Sequence, residues 1–249
     1  MNLIILMESD RLDNERFCLR DNRAEHIRDV LKLEKGEKVQ VGLLNGPVGQ
    51  AVVEVLTPLE VVLKISELRD IAPPEPIVDL VCALPRPQTL KKVLFTSAMM
   101  GIRRLYFIRA GRVEKSYFQS PLLGKEKYTP HLIEGLAQGK LTFLPEIHIL
   151  DRFKVFFDAI LPVVEKESEI NPAKLVASPE SSFNLGERFD KNIRRIIFAI
   201  GPEGGWLPFE LEYMEQAGFR QFTLGRRILR VEHAVTAALS QMELLLKLK

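Results

Sequence analysis

The stretch that decides the fold is I-G-P-E-G-G-W at 200–206, followed by L-G-R-R-I-L-R-V-E-H-A at 224–234. Each half begins directly after an apolar run, and a helical pattern at 208–216 separates them. Glycines at the end of a strand allow positive φ and a close approach of the backbone to a ligand. Two such turns around one helix predict a small-molecule pocket built largely from backbone.

The first turn contains Gly201, Gly204 and Gly205 between a strand and a helix. Exposed N–H groups at the start of a helix can bind a carboxylate or another polar group. Glu203 would then be an acid held in a tight loop beside the pocket. An ordinary strand-to-helix turn has the same residue types, so this turn alone does not identify a ligand.

The second turn places Ile228 and Leu229 among three arginines. Their backbone could cup an adenine-like ring, or their side chains could pack in the core. Arg230 and Glu232 lie at the start of the last helix, where an acid is electrostatically favoured. They could pair with each other, or Arg230 could face an anionic substrate. Neither turn has the spacing of a P-loop or of a dinucleotide-binding fingerprint.

Outward from this stretch, apolar runs alternate with helical patterns from residue 77 to the end of the chain. This alternation predicts an α/β fold with a parallel sheet covered by helices on both faces. The predicted strands are 77–84, 105–108, 146–150, 174–177, 196–200 and 221–224, and the predicted helices are 89–100, 125–138, 152–164, 208–216 and 232–247.

The first seventy residues have a different pattern, typical of a small β-rich domain. Asn45-Gly46 is a strong hairpin signal between apolar runs. The proline-rich stretch I-A-P-P-E-P at 71–76 follows and predicts a linker. We therefore expect one domain at 1–72 and a second at 73–249. The predicted strands of the first are 3–7, 39–44, 51–56 and 61–68, with a short helix at 24–33.

Composition limits the classes of site and partner. The 249 residues have a formal net charge of +2, and local clusters of Arg and Lys suit either a polyanion or ordinary solvated faces. Two cysteines, Cys18 and Cys82, and four scattered histidines have no metal-ligand spacing, so we expect no metal. The cysteine usage predicts a reducing, cytoplasmic compartment, and no apolar run has the length of a membrane span.

The paired motifs resemble a known family. G-P-E-G-G at 201–205 followed by L-G-x-R-I-L-R-x-E at 224–232 is similar to the bacterial 16S ribosomal RNA uridine-N3 methyltransferases of the SPOUT superfamily. L-P-R-P at 84–87, R-V-E-K-S-Y at 112–117 and S-P-L-L at 120–123 extend the resemblance to a divergent branch of that family. The resemblance covers nearly the whole chain.

The resemblance implies a SPOUT-type parallel sheet with a C-terminal trefoil knot, preceded by a PUA-like β-barrel that binds RNA. It also implies S-adenosyl-L-methionine as cofactor and a homodimer with the site near the subunit interface. The implied reaction is methylation of N3 of a uridine in 16S ribosomal RNA of the small ribosomal subunit.

The resemblance also implies roles for individual residues. The implied catalytic residues are Arg230, Glu232 and Glu203. The implied cofactor-binding residues are Ala177, Ser178, Ile200, Gly201, Pro202, Glu203, Gly204, Gly205, Leu224, Gly225, Arg227, Ile228 and Leu229. The candidates for RNA binding are Arg109, Arg112, Lys115, Gln138 and Arg227.

N3 of uracil carries a proton, so methylation there needs a base or a stabiliser of negative charge. Arg230 could stabilise the charge on the uracil carbonyl oxygens, and Glu232 could accept the proton or orient Arg230. His233, where the family commonly has threonine, is the alternative base. The family's Glu-Gln pair is Ala137-Gln138 here, so a non-catalytic RNA-binding or ribosome-assembly protein, or a methyltransferase for another RNA, stays open.

Overall fold

A computed structural model describes residues 3–167, 171–188 and 193–247 of the chain. Its contacts divide the chain into two compact units. One comprises Met1–Pro73 with Leu136–Leu144, and the other comprises Pro74–Gly135 with Pro145–Lys249. The first unit thus includes a segment from the middle of the chain, which the sequence did not predict. No helix in the described ranges is long and apolar enough to cross a membrane.

The first unit is a five-stranded sheet with the order β1-β3-β4-β5-β2. β1 pairs with β3 in parallel, and the other neighbours are antiparallel. The pairing of β4 with β5 shifts register twice, between Gln50 and Ala51 and between Val53 and Val55, as at β-bulges, which bend a strand and increase its twist. The elements are β1 Ile4–Leu6, β2 Arg16–Leu19, β3 Lys38–Leu43, β4 Val48–Leu56 and β5 Val61–Arg69, with helix α1 Asn22–Glu25 continued by a π-helical segment, His26–Val30.

The core of this unit lies on one face of the sheet, where alternate residues of β3 and β4 point inward. Phe17 and Leu19 from β2, with Ile27 from the helix, complete it. The segment Leu136–Leu144 joins the unit by main-chain hydrogen bonds, since the amide of Leu3 donates to the carbonyl of Ala137 at 3.0 Å. The Asn45-Gly46 turn connects β3 and β4, which confirms the predicted hairpin.

The second unit is a six-stranded sheet with the order β11-β9-β10-β6-β7-β8, in which every neighbouring pair is parallel. The predicted α/β fold with a parallel sheet is confirmed. The strands are β6 Ile77–Ala83, β7 Arg104–Ile108, β8 Glu146–Leu150, β9 Ala173–Ala177, β10 Arg195–Ile200 and β11 Arg220–Phe222. The helices are α2 Pro87–Met99, α3 Lys125–Gly139, α4 Phe153–Val155, α5 Leu161–Lys166, α6 Leu185–Arg188, α7 Pro208–Gln216 and α8 Val231–Lys247.

Three elements differ from the sequence-based expectation. β2 was not predicted, because Phe17, Cys18 and Leu19 are all buried and give no alternation. The single helix predicted at 152–164 is α4 and α5 joined by a π-helical segment, Phe156–Ile160. The four-residue helix α6 is too short to produce a periodic pattern.

A buried ion pair ties the two central strands together near their amino ends. The Nε and Nη2 atoms of Arg195 on β10 lie 2.8 and 2.5 Å from one carboxylate oxygen of Asp79 on β6. Arg195 also donates to the carbonyl of Val164 at 3.2 Å and to Glu167 at 3.1 Å. Both Asp79 and Arg195 are buried, so the Asp79 carboxylate depends on the guanidinium for compensation of its charge.

We expect Arg195→Met to lower the free energy of unfolding by about 3–5 kcal/mol, because it leaves the Asp79 carboxylate buried without its guanidinium. Urea unfolding followed by circular dichroism measures the change. Glu146→Gln is the control, since it removes an exposed partner of Arg104 and should cost less than about 1 kcal/mol. A loss for Arg195→Met no larger than that of the control would contradict this assignment.

Candidate active site

The carboxyl ends of five parallel strands place the predicted turns at one edge of the sheet. The first turn follows β10 and the second follows β11, while other loops follow β6, β7 and β9. Ligands of open α/β sheets bind outside the carboxyl ends of the strands. The topology therefore gathers the two turns that the sequence places about twenty residues apart.

The first turn is closed by a hydrogen bond from the amide of Gly205 to the carbonyl of Pro202, at 2.8 Å. Gly205 has a φ of +75°, which a residue with a side chain rarely adopts. Gly201 lies against the indole of Trp206, and a Cβ built there would be 3.1 Å from Nε1. The backbone path of the turn therefore favours glycine at 205, and close packing of the Trp206 side chain favours it at 201.

Two arginines from other loops hold the tip of this turn. The backbone amide and Nε of Arg86, from the loop after β6, lie 3.4 and 3.2 Å from Oε1 of Glu203. Nη1 of Arg112, from the loop after β7, donates to the carbonyl of Gly204. Glu203, predicted to be catalytic, is thus already paired with a cation.

The loop after β9 is joined to β11. The amide of the buried Ser178 donates to the carbonyl of Phe222 at 2.9 Å, and the amide of Thr223 donates to Phe183 at 2.8 Å. Ala177 is the last residue of β9 and is half-buried. The predicted cofactor residues after β9 thus lie beside the start of the second turn.

The second turn is anchored at its ends and exposed in its middle. The carbonyl of Leu224 accepts from Nε2 of Gln241 at 3.1 Å, and the carbonyl of Arg230 accepts from the amide of Ala234 at 2.8 Å. Ile228 is 86% exposed and Leu229 is 37% exposed. Core packing, one interpretation of this apolar pair, is therefore wrong for Ile228.

Glu232 has a cation partner, but it is not Arg230. Nζ of Lys92 on α2 lies 3.2 Å from Oε1 of Glu232, which is 6% exposed in the first turn of α8. The Arg230–Glu232 pair considered from the sequence is not formed within the described residues. Burial raises the pKa of Glu232, but hydrogen bonds from its own backbone N–H and from Lys92 outweigh burial and lower the pKa overall.

A groove of about 470 Å³ opens beside this pair, between α2, α3 and α8. It has basic, acidic, aromatic and hydroxyl groups on its walls. Within the described ranges no group of three or more His, Cys, Asp or Glu side chains could hold a metal ion. The lining residues are Lys91, Lys92, Phe95, Thr96, His131, Glu134, Glu232, His233 and Thr236.

Comparison with known proteins identifies the family of this chain. Residues 73–243 match the RNA methyltransferase domain family. Ribosomal RNA small subunit methyltransferase E of Treponema pallidum is 32% identical over 242 residues, covering 94% of this chain and 88% of that protein. The chain belongs to the ribosomal RNA small subunit methyltransferase E family.

Other members of the methyltransferase E family support the same fold. The enzyme named methyltransferase E 1 from Borreliella burgdorferi is 26% identical, covering 89% of this chain and 90% of that protein. A methyltransferase E from Neisseria gonorrhoeae, solved bound to S-adenosyl methionine, has a TM-score of 0.76 at 21% identity and covers 98% of both chains. The fold is therefore that of the methyltransferase E family over nearly the full length.

The predicted RNA-binding residues of this methyltransferase E family member are dispersed. Arg109 is half-buried directly after β7, Lys115 is exposed at the start of a short 3-10 helix, Lys115–Gln119, and Arg227 is exposed in the second turn. Gln138 is exposed near the end of α3, in the segment that belongs to the first unit. Their RNA contacts stay a prediction.

The side chains that hold the site residues in place were not predicted from the sequence. Arg86 lies in the quoted L-P-R-P motif, but its partner Glu203 is 117 positions away. Lys92 is 140 positions from Glu232, and no local pattern marks such a pair. The capping signal L-P-F-E at 207–210 does mark Glu210, whose carboxylate accepts from the amides of Leu207 and Gly111 at 2.8 and 2.7 Å.

We expect Lys92→Met to raise the pKa of Glu232, because the variant removes a hydrogen bond and a nearby positive charge. A carboxylate whose folded-state pKa is lowered stabilises the fold above its unfolded pKa, and this contribution is lost as the pH falls through the folded value. Titration of the Glu232 carboxyl by carbon NMR measures the shift. Lys91→Met is the matched control, and an equal titration in both variants would show that Lys92 does not set this pKa.

Proposed function

We propose that this protein transfers a methyl group from S-adenosyl-L-methionine to N3 of a uridine in 16S ribosomal RNA of the small subunit. Membership of the methyltransferase E family supports the reaction class. The main support for the proposal is that the turns at 201–205 and 224–230 both lie at the carboxyl edge of the parallel sheet. The cofactor supplies an activated methyl group, so the protein must mainly align the donor with the acceptor.

The chemistry of the two turns fits this cofactor. We assign the sugar and amino-acid portions to backbone groups of the first turn and of the loop after β9. The adenine ring lies against the second turn, where the exposed Ile228 and Leu229 provide apolar contact. Burial of that pair against a ring removes apolar surface from water, which is favourable. The proposed contacts are Ala177, Ser178, Ile200, Gly201, Pro202, Glu203, Gly204, Gly205, Leu224, Gly225, Arg227, Ile228 and Leu229.

We assign charge stabilisation at the acceptor base to Arg230. Its side chain is exposed just before α8 and next to the proposed adenine site. Removal of the N3 proton places negative charge on the uracil carbonyl oxygens, and a guanidinium beside them lowers the barrier. We propose that Glu232, whose pKa is lowered, is a fixed anion near Arg230. Glu203 supplies a carboxylate within the turn that binds the cofactor. Glu232 is one candidate for the proton acceptor, and His233, which lines the same groove, is the other.

The finer features of the assembly are part of the same proposal. We infer that the loops at the carboxyl edge form a trefoil knot and that the first unit is a PUA-like barrel that binds RNA. We also propose that the protein is a cytoplasmic homodimer. Arg109, Lys115, Gln138 and Arg227 are the proposed RNA contacts, and the target uridine must be unpaired because N3 lies on its pairing edge.

Two measurements test the function. Calorimetry with purified protein should detect S-adenosyl-L-methionine binding, and its absence would exclude the enzyme. Deletion of the gene followed by mass spectrometry of ribosomal RNA should remove one 3-methyluridine. Binding of the cofactor together with unchanged 3-methyluridine would mean that this methyltransferase acts on another RNA.

We expect Arg230→Ala to lower the methylation rate on the order of 100-fold or more while cofactor affinity stays within a few-fold, because the arginine acts on charge that develops only during the reaction. A single-turnover assay with small-subunit RNA or particles and a radiolabelled methyl donor measures the rate. Arg226→Ala is the control from the same exposed loop. Wild-type turnover in Arg230→Ala would remove this residue from the mechanism.

A further inference from the structure

Arg112 is one of the residues that the sequence assigns to RNA, yet its guanidinium is directed at the protein. The turn closed by Gly205 and Pro202 has Glu203 and Gly204 as its two central residues. Arg112 donates to the carbonyl of Gly204, and Arg86 donates to the side chain of Glu203. Each central residue of the turn is therefore held by an arginine from a different loop.

The stem of Arg112 also packs on the turn. A Cβ built on Gly204 would lie 3.1 Å from Cδ of Arg112 and 3.5 Å from its Cβ. The side chain therefore lies across the α-carbon of Gly204, and a larger residue at 204 would displace it. This combination of apolar packing and a charge-assisted hydrogen bond fixes the plane of the peptide between Gly204 and Gly205.

The loop that carries Arg112 is itself fixed. The amide of the preceding residue, Gly111, donates to Oε1 of Glu210 at 2.7 Å, and the amide of Leu207 donates to Oε2 at 2.8 Å. Glu210 is 0% exposed, so both hydrogen bonds are protected from water. One buried carboxylate thus joins the loop after β7 to the start of α7, which directly follows the glycine turn.

We propose that Arg112 is a positioning residue for the cofactor site, and that it orders the turn at 201–205 rather than binding an RNA phosphate. The proposal rests on the function assigned above, because it takes that turn as the binding site for S-adenosyl-L-methionine. An ordered turn presents its backbone groups without an entropic cost at the moment of binding. Arg86 supports the same turn from the opposite loop through Glu203.

The test compares Arg112→Met with Lys125→Met, a change of an exposed cation at the start of α3 that has no assigned role. Calorimetry should show S-adenosyl-L-methionine binding weakened on the order of 10-fold in Arg112→Met and unchanged in Lys125→Met, as expected for loss of a hydrogen bond from a charged group. Hydrogen exchange of cofactor-free protein should be faster at 201–206 only in Arg112→Met. The melting temperature of each variant reports whether the fold is retained.

Three outcomes would overturn the inference. The first is wild-type exchange at 201–206 in Arg112→Met, which excludes ordering of the turn whether or not the cofactor binds. The second is wild-type cofactor affinity in that variant. The third is a salt dependence of RNA binding that falls by about one phosphate contact in Arg112→Met, which makes Arg112 an RNA ligand. A wild-type protein that binds no cofactor refutes the proposed function, and the exchange measurement still decides whether Arg112 orders the turn.

Discussion

The pairing of β10 with β6 on one side and β9 on the other is the constraint on which the site depends. All six residues of β10 are buried, and the strand begins at Arg195 and leads directly into Gly201. The ion pair from Arg195 to Asp79 specifies the register at the amino end. A slip of one residue would break that pair and move the glycine turn by about 3.3 Å. The ion pair between Arg195 and Asp79 and the proposed cofactor turn thus lie at opposite ends of β10.

The parts that the sequence predicted are those in which the information is local. The apolar runs predicted the parallel strands. The glycines at 201–205 and 225 predicted the turns, because positive φ and close packing restrict the residue type. The partners of the site residues are distant in sequence, as Lys92 is from Glu232, and only the order of the strands brings them together. β2 was missed because full burial removes the alternation on which strand prediction depends.

The exposed apolar residues of the second turn lower the hydrophobic contribution to the stability of the fold. Leaving a large aliphatic side chain such as Ile228 in water forgoes about 1.5–3 kcal/mol relative to burial. The ends of the turn are held by the carbonyl groups of Leu224 and Arg230, so its middle cannot collapse freely onto the core. The arginines on both sides keep this apolar segment soluble. A fixed apolar surface between cations suits a ligand with both a ring and polar groups.

The pair between Glu232 and Lys92 bears on the choice of proton acceptor. A general base is most effective when its pKa lies near the working pH, and the lowered pKa of Glu232 moves it away from that value. The same charge makes Glu232 effective as a fixed anion, because it stays ionised in a mostly buried position at the start of α8. The electrostatics therefore suit Glu232 as a fixed anion that holds Lys92 better than as the proton acceptor of the proposed reaction.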